Sequence, residues 1–187
     1  MSDLSEAEEI RNEELEAERL ARRRIALAQI RQYPDPVLRM RANDVQEFDD
    51  DLRQLAERMT ALMVGAAGVG LAANQVGVLQ RMFIFQPTPE EEPQAMVNPE
   101  IVERSEETEP DDEGCLSMQG VLVPVERNLR VTIEAQDLEG EEVRLELEGM
   151  SARVVQHELD HLDGSLIIDR TTPDGRREAL AVLRQAV

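Results

Sequence analysis

Residues 151–164 read Ser-Ala-Arg-Val-Val-Gln-His-Glu-Leu-Asp-His-Leu-Asp-Gly, and both histidines of the 187-residue chain, His157 and His161, fall within them. Ser151 suits an N-cap and Gly164 a stop, so the segment predicts a helix that ends near Asp163. Residues four apart share a helical face, which puts the two imidazoles side by side. Two imidazoles so placed can grip one transition metal, and Glu158, next to the first, can reach a water in the same site. A pair of surface histidines would have the same spacing. The metal is favoured because the chain has only 2 histidines and places both in this pattern. A catalytic centre of this type usually has three protein ligands, so one is missing from the helix. Cys115, the single cysteine, lies in Glu113-Gly114-Cys115-Leu116-Ser117 and is the candidate for that position. Taken alone it would read as a small buried hydrophobe. A thiolate with two neutral imidazoles suits Fe(II), Zn or Co and does not choose among them.

Upstream of this helix, Val131, Ile133 and Ala135 alternate with polar residues, as do Val143, Leu145 and Leu147, across a turn at Asp137 to Gly140. That is a hairpin pattern. Arg81 to Phe85 and Ala95 to Val102 read as short strands, and the acidic stretch Glu103 to Asp112 as a loop or solvated edge. From Asp50, taken as an N-cap, Leu52, Leu55, Ala56, Met59, Leu62 and Met63 recur at helical intervals and predict a helix of about four turns. It ends at Gly65. There follows Gly68-Val69-Gly70-Leu71-Ala72-Ala73-Asn74-Gln75, which is not a dinucleotide turn, because Ala73 stands where the third glycine belongs and no strand clearly precedes it. Small residues here let backbone approach a ligand closely, and the Gln75 amide can donate to a developing oxyanion. Helices at both ends of a strand-rich middle indicate an α+β fold.

Residues 1–29 read as an acidic helical extension, with Asp and Glu crowded into the first half and Arg22, Arg23 and Arg24 near the end. Its apolar positions, Leu4, Ile10, Leu15, Leu20 and Leu27, are only loosely helical in spacing, so a solvated extension is expected. Tyr33-Pro34-Asp35-Pro36 stops any helix and marks the start of a compact domain over 30–187. At the other end, residues 176–187 carry Arg176, Arg177 and Arg184, a weak ribosome contact or a terminal helix packed through Leu180, Val182 and Leu183.

Asp and Glu number 40 against 20 basic residues, all of them Arg, for a net charge of -20. That excludes general nucleic-acid binding, which needs a basic footprint. Without lysine the chain has no Walker A loop, Schiff-base chemistry or kinase site. A single cysteine and an acidic N-terminus without an apolar leader segment point to a reducing cytoplasmic location. The longest apolar run, Ala61 to Ala73, is too short and glycine-broken to span a bilayer, so no membrane association is expected.

Gly68 to Gln75, Glu113 to Ser117 and Gln156 to His161, in this order and spacing, resemble the three signature motifs of the peptide deformylases. The resemblance extends over about residues 30 to 170, including Tyr33 to Arg39 and Asp163-Gly164. It implies a fold in which antiparallel β-sheets pack around a central metal-binding helix. It also implies removal of the N-formyl group from the initiator methionine of nascent bacterial or organellar polypeptides. Fe(II) would be the usual metal in the cell, with Zn, Ni or Co in purified protein, one per chain. Carried over, Cys115, His157 and His161 would be the ligands, with a water completing the site. Glu158 would be the general base and acid, and the Gln75 side chain and Leu116 backbone amide would hold the oxyanion. Val69, Gly70, Glu113 and Gly114 would lie along the peptide backbone, and Val69, Met150, Val154 and His157 would border the methionine pocket. Partners would be formyl-methionyl nascent peptides and, transiently, the ribosome.

Two positions depart from the family's common pattern: Gln119 stands where many members have Pro, and Leu122 where many have an Arg that helps fix the motif glutamate and the peptide. Arg127 and Arg153 are the candidates to replace that Arg, and Arg153 itself stands at a position commonly apolar. Two other readings stay open on the sequence. A metallopeptidase would share His-Glu-x-x-His but take its third ligand from His, Glu or Asp. A deformylase-like metal or peptide-binding protein without turnover would explain Gln119 and Leu122, yet the chain keeps Cys115, both histidines, Glu158 and Gln75.

Overall fold

The computed structural model describes residues 2–86, 88 and 90–185, with side chains from residue 11 onward. The side chains of the expected apolar positions Leu4 and Ile10, and the last two residues of the C-terminal stretch, therefore lie outside what is described. Five helices and seven strands follow one another as α1 (Ser2–Leu27), α2 (Asp50–Gly65), β1 (Gly70–Ala72), β2 (Met82–Phe85), β3 (Gln94–Arg104), β4 (Thr108–Gly114), β5 (Leu122–Asn128), β6 (Arg130–Gln136), β7 (Glu142–Glu148), α3 (Gly149–Leu162), α4 (Ile167–Arg170) and α5 (Pro173–Gln185). Strands β1, β2, β3, β6 and β7 form one antiparallel sheet in that spatial order, and β4 pairs with β5 in a second, two-stranded sheet.

The larger sheet is covered on both faces, which explains the unbroken apolar run Met82-Phe83-Ile84-Phe85. Met82 and Ile84 face α2 with Leu71, Met59 and Met63, whereas Phe83 and Phe85 face α3 with Val155, Leu159 and Leu162. The expected hairpin is β6 and β7, in register from Arg130 opposite Glu148 to Gln136 opposite Glu142. A third apolar cluster joins β5 to the C-terminal helices through Val123, Val125, Ile167, Ala179 and Leu183.

Several local expectations are corrected. Asp49, not Asp50, caps α2, its carboxylate accepting from the Leu52 N–H at 3.1 Å. Ser151 lies inside the first turn of α3, which begins at Gly149, a residue in the left-handed region at φ 59°. Of the two readings of the acidic stretch Glu103 to Asp112, the solvated edge holds and the loop does not, since it is mostly strand, the exposed end of β3 and most of β4. Its sequence shows no apolar alternation because β4 is exposed along its length except at Glu113, while β5 alternates buried and exposed residues. On α5 the buried positions are Gly175, Ala179 and Leu183, with Leu180 packed beside them, and Val182 is 39% exposed.

The first helix is exposed from residue 11 to Ile25, but Ala26, Leu27 and the following Ile30 are buried in the α2 cluster. The crossing is close, since a Cβ added at Gly65 would lie 3.2 Å from the Ala26 Cβ. Asp35 then caps a single 3-10 turn, Pro36–Arg39, by accepting from the Val37 N–H at 3.0 Å. No helix among the described residues is long and apolar enough to cross a membrane.

Candidate active site

Helix α3 is buried on nearly all sides, and it presents His157 and His161 on one face, with ring centroids 4.9 Å apart. Cys115 follows the last residue of β4 and places its sulfur 3.3 Å from His161 Nε2. The ligand atoms of Cys115, His157 and His161 lie within 4.8 Å of one another. A half-buried thiol and two imidazoles at this separation fit a single divalent metal, which thiolate and imidazole together bind well.

Behind the cluster stands a carboxylate network. Glu113, the one buried residue of β4, accepts two parallel bonds from Arg127, Nε to Oε1 and Nη2 to Oε2, each 2.9 Å. Arg153 adds a bond to Oε1 at 2.9 Å and also donates to the Val125 and Glu109 carbonyls. His157 Nδ1 lies 3.0 Å from Glu113 Oε2, so its N–H points at the carboxylate and Nε2 is left for the metal position. Burial pushes the Glu113 carboxyl up, but hydrogen bonds from Arg127 and His157 outweigh it and hold it at about 2. Arg127 also bonds Asp160 at 2.6 Å, and Asp160 in turn accepts from Arg170 at 2.6 Å. Arg127 and Arg153 thus both fix the motif glutamate, while Leu122, at the position of the missing arginine, is 65% exposed. The Gln119 side-chain amide donates to Gln32 Oε1, at 3.2 Å on the surface.

The Gln75 amide is oriented by its own loop. Its Oε1 accepts from the Ala72 N–H at 2.8 Å, which turns Nε2 toward Ser117 Oγ at 3.0 Å and Cys115 Sγ at 3.8 Å. Leu116 is anchored through its carbonyl, which accepts from Gln32 Nε2 at 2.9 Å. Glu158 is 3% exposed, and its Oε2 has no partner among the described residues. Burial, the largest influence, pushes its carboxyl up to about 7, against the favourable charge of His157. Gly70 makes this placement possible, because a Cβ there would lie 2.3 Å from Glu158 Oε1.

A cavity of about 380 Å³ opens onto these groups. Val69, Gly70, Gly114, Met150 and Val154 line it, together with Gln75, Cys115, Leu116, His157 and Glu158. His161 is not among the lining residues and lies buried behind Cys115. Glu113, expected beside the peptide, reaches the wall with both oxygens already engaged by Arg127, Arg153 and His157. Asp160, Arg170 and Ser117 were not expected in the site. Asp160 carried one signal, its place three residues after His157 on the metal-binding face.

Residues 27–177 match the family model described as polypeptide deformylase. The chain belongs to the peptide deformylase family. Within that family it is 50% identical over 147 residues to the peptide deformylase of Thermotoga maritima, covering 79% of this chain and 88% of that protein. It is 42% identical over 154 residues to the Desulforudis audaxviator peptide deformylase, covering 82% and 99%. Among solved structures, the Legionella pneumophila peptide deformylase superposes with a TM-score of 0.80 at 38% identity, covering 83% of this chain and 92% of that one. The Thermotoga maritima structure gives 0.74 at 50% identity, covering 77% and 97%. Peptide deformylases are metal-dependent hydrolases, and the Cys115, His157 and His161 cluster is where this member would hold its single metal.

Proposed function

We propose that this peptide deformylase removes the formyl group from the N-terminal methionine of nascent polypeptides, with Cys115, His157 and His161 holding one metal and Fe(II) as its occupant in the cell. The observation that carries the reading is the convergence at one cavity of that ligand cluster, a Glu158 carboxylate whose Oε2 has no partner among the described residues, and an amide already aimed at the cluster. When bound, the metal supplies Lewis-acid polarisation of the formyl carbonyl and lowers the pKa of water. Glu158, with Oε2 free and its carboxyl near 7, accepts a proton from the attacking water and returns it to the departing amine as formate leaves. Gln75 Nε2 and the Leu116 N–H donate to the oxygen on which negative charge develops. Ser117 and the Ala72 N–H hold that glutamine amide in place before substrate arrives.

The peptide would lie along the open edge of β1, which pairs on its other side with β2, so main-chain bonds along Val69 and Gly70 bind it while later side chains are read weakly. Val69 and Met150, 53% and 60% exposed at the cavity wall, with Val154 would border the methionine side chain. Residues 30–187 would form the catalytic domain and 1–29 an extension. The protein would work in the cytoplasm near the ribosome.

The test is formate release from a formyl-methionyl tripeptide by protein prepared without oxygen and loaded separately with Fe(II), Ni(II), Co(II) or Zn(II). Turnover with at least one metal is expected. No turnover with any, despite one metal bound per chain, would favour a peptide-binding role.

A further inference from the structure

The cavity wall includes two residues of α1, Arg23 and Leu27, which lie upstream of all three motifs. Arg23 precedes residue 27, where the family match begins, so it lies outside that match. Its place is fixed by packing. Leu27, one turn on, is buried against α2, and Ala26 meets Gly65 closely. Arg23 Nε donates to the Ala66 carbonyl at 3.3 Å, at the turn where Ala67 takes a left-handed conformation with φ 56°. The terminal nitrogens of Arg23 meet no acceptor among the described residues. The other arginine on the wall, Arg153, is bonded to Glu113 and two carbonyls. Among the described residues, Arg23 is therefore the cation with free N–H groups at this cavity, in a chain of net charge -20.

The reacting end is set by Glu158, which packs on Gly70. A peptide leaving along the chain from Gly70 through Val69 and Gly68 to Ala67 would rise about 3.3 Å per residue and would approach Ala66, whose carbonyl Arg23 holds, by its third or fourth residue. We propose that Arg23 is a specificity-determining residue that binds acceptor groups of the outgoing peptide there, most strongly an acidic side chain. This rests on the deformylase reading of the site. The guanidinium offers planar paired donors to a carboxylate, whereas Asp112, which also lines the cavity, disfavours the same acidic side chain. Arg23 offsets that repulsion, so nascent chains with Asp or Glu at the third residue become acceptable substrates.

The experiment compares formyl-Met-Ala-Glu with formyl-Met-Ala-Arg on wild-type, Arg23→Ala and Arg23→Glu protein, reading KM and kcat of formate release. Dissociation constants of fluorescein-labelled versions of both peptides are read in parallel by anisotropy, with Glu158→Gln added to each protein to stop turnover. Arg22→Ala, whose side chain bonds Glu18 on the exposed surface, controls for loss of a neighbouring charge. The expected result is a rise of about three- to tenfold in the Glu-to-Arg ratio of KM and of Kd for Arg23→Ala, larger for Arg23→Glu, with kcat constant. The shift should shrink in 0.5 M salt. A ratio that is the same in all proteins, or one moved equally by Arg22→Ala, overturns the proposal. Wild-type protein that releases no formate would instead count against the deformylase reading, and the anisotropy ratios would still decide the role of Arg23.

Discussion

Replacing Gly70 by Ala isolates the contact on which the placement of Glu158 depends. Gly70 is not in the left-handed backbone region, so alanine is tolerated by the main chain and the effect falls on its neighbours. The added methyl would lie 2.3 Å from Glu158 Oε1, 2.8 Å from its Cδ and 2.9 Å from Val154 Cγ1. Ordinary contacts need about 3.5 Å, so the carboxylate must retreat by about 1 Å. A displacement of that size in a catalytic group costs about 100-fold in rate, or about 2.7 kcal/mol of barrier. In formate release from formyl-Met-Ala-Ser, Gly70→Ala should lose about that factor in kcat/KM while binding metal as the wild type does. Val154→Ala in the same chain removes one of the two obstructions and should restore part of the loss. A Gly70→Ala protein within threefold of wild type would refute the assignment of Glu158 to this contact.

Glu113→Gln weakens the hold on His157 and leaves Arg127 and Arg153 facing a neutral amide. Metal affinity, measured by chelator competition, should fall by about 10- to 100-fold, and an unchanged affinity would remove Glu113 from that role. Removing residues 1–20 should leave the melting temperature nearly unchanged, whereas removing 1–30 also deletes buried Ala26, Leu27 and Ile30 and should lower it by about 10 °C. Equal losses in the two truncations would contradict the packing of the α1 terminus. Burial pushes the Asp169 carboxyl up, but bonds from Arg39, the Leu166 N–H and Arg176 outweigh this and hold it below the usual carboxylate range. Its folded pKa therefore lies below the unfolded one, and its contribution is present above about pH 4 and lost as pH falls through the folded value. Urea unfolding below pH 4 should show a smaller acid loss in Asp169→Asn than in wild type. Identical slopes would discount that pairing.

The metal cluster was legible because both histidines and the single cysteine stand in patterned segments, and helix periodicity alone brings His157 beside His161. The β6–β7 hairpin and α2 were legible for a related reason: each has one face in the core and announces it by period. Strand β4 was not, since it buries only Glu113 and its remaining residues look like loop. The anchoring of Glu113 by Arg127 and Arg153 could only be framed as a question, because it depends on β4, β5 and α3 meeting in space. The docking of α1 was hidden by its composition. Its exposed, highly charged body sets the overall pattern, whereas its attachment lies in the last turn and in Gly65 of another helix. Asp160 and Arg170, which extend the arginine network, carry charges that ordinarily mark a solvated face.

The most direct measurement is formate release by Glu158→Ala protein with its metal content determined in the same sample. The expected result is metal bound at the wild-type ratio with turnover reduced by at least about 100-fold, because the ligands are intact and the proton carrier is gone. Turnover within tenfold of wild type, with metal retained, would contradict the assignment of proton transfer to Glu158.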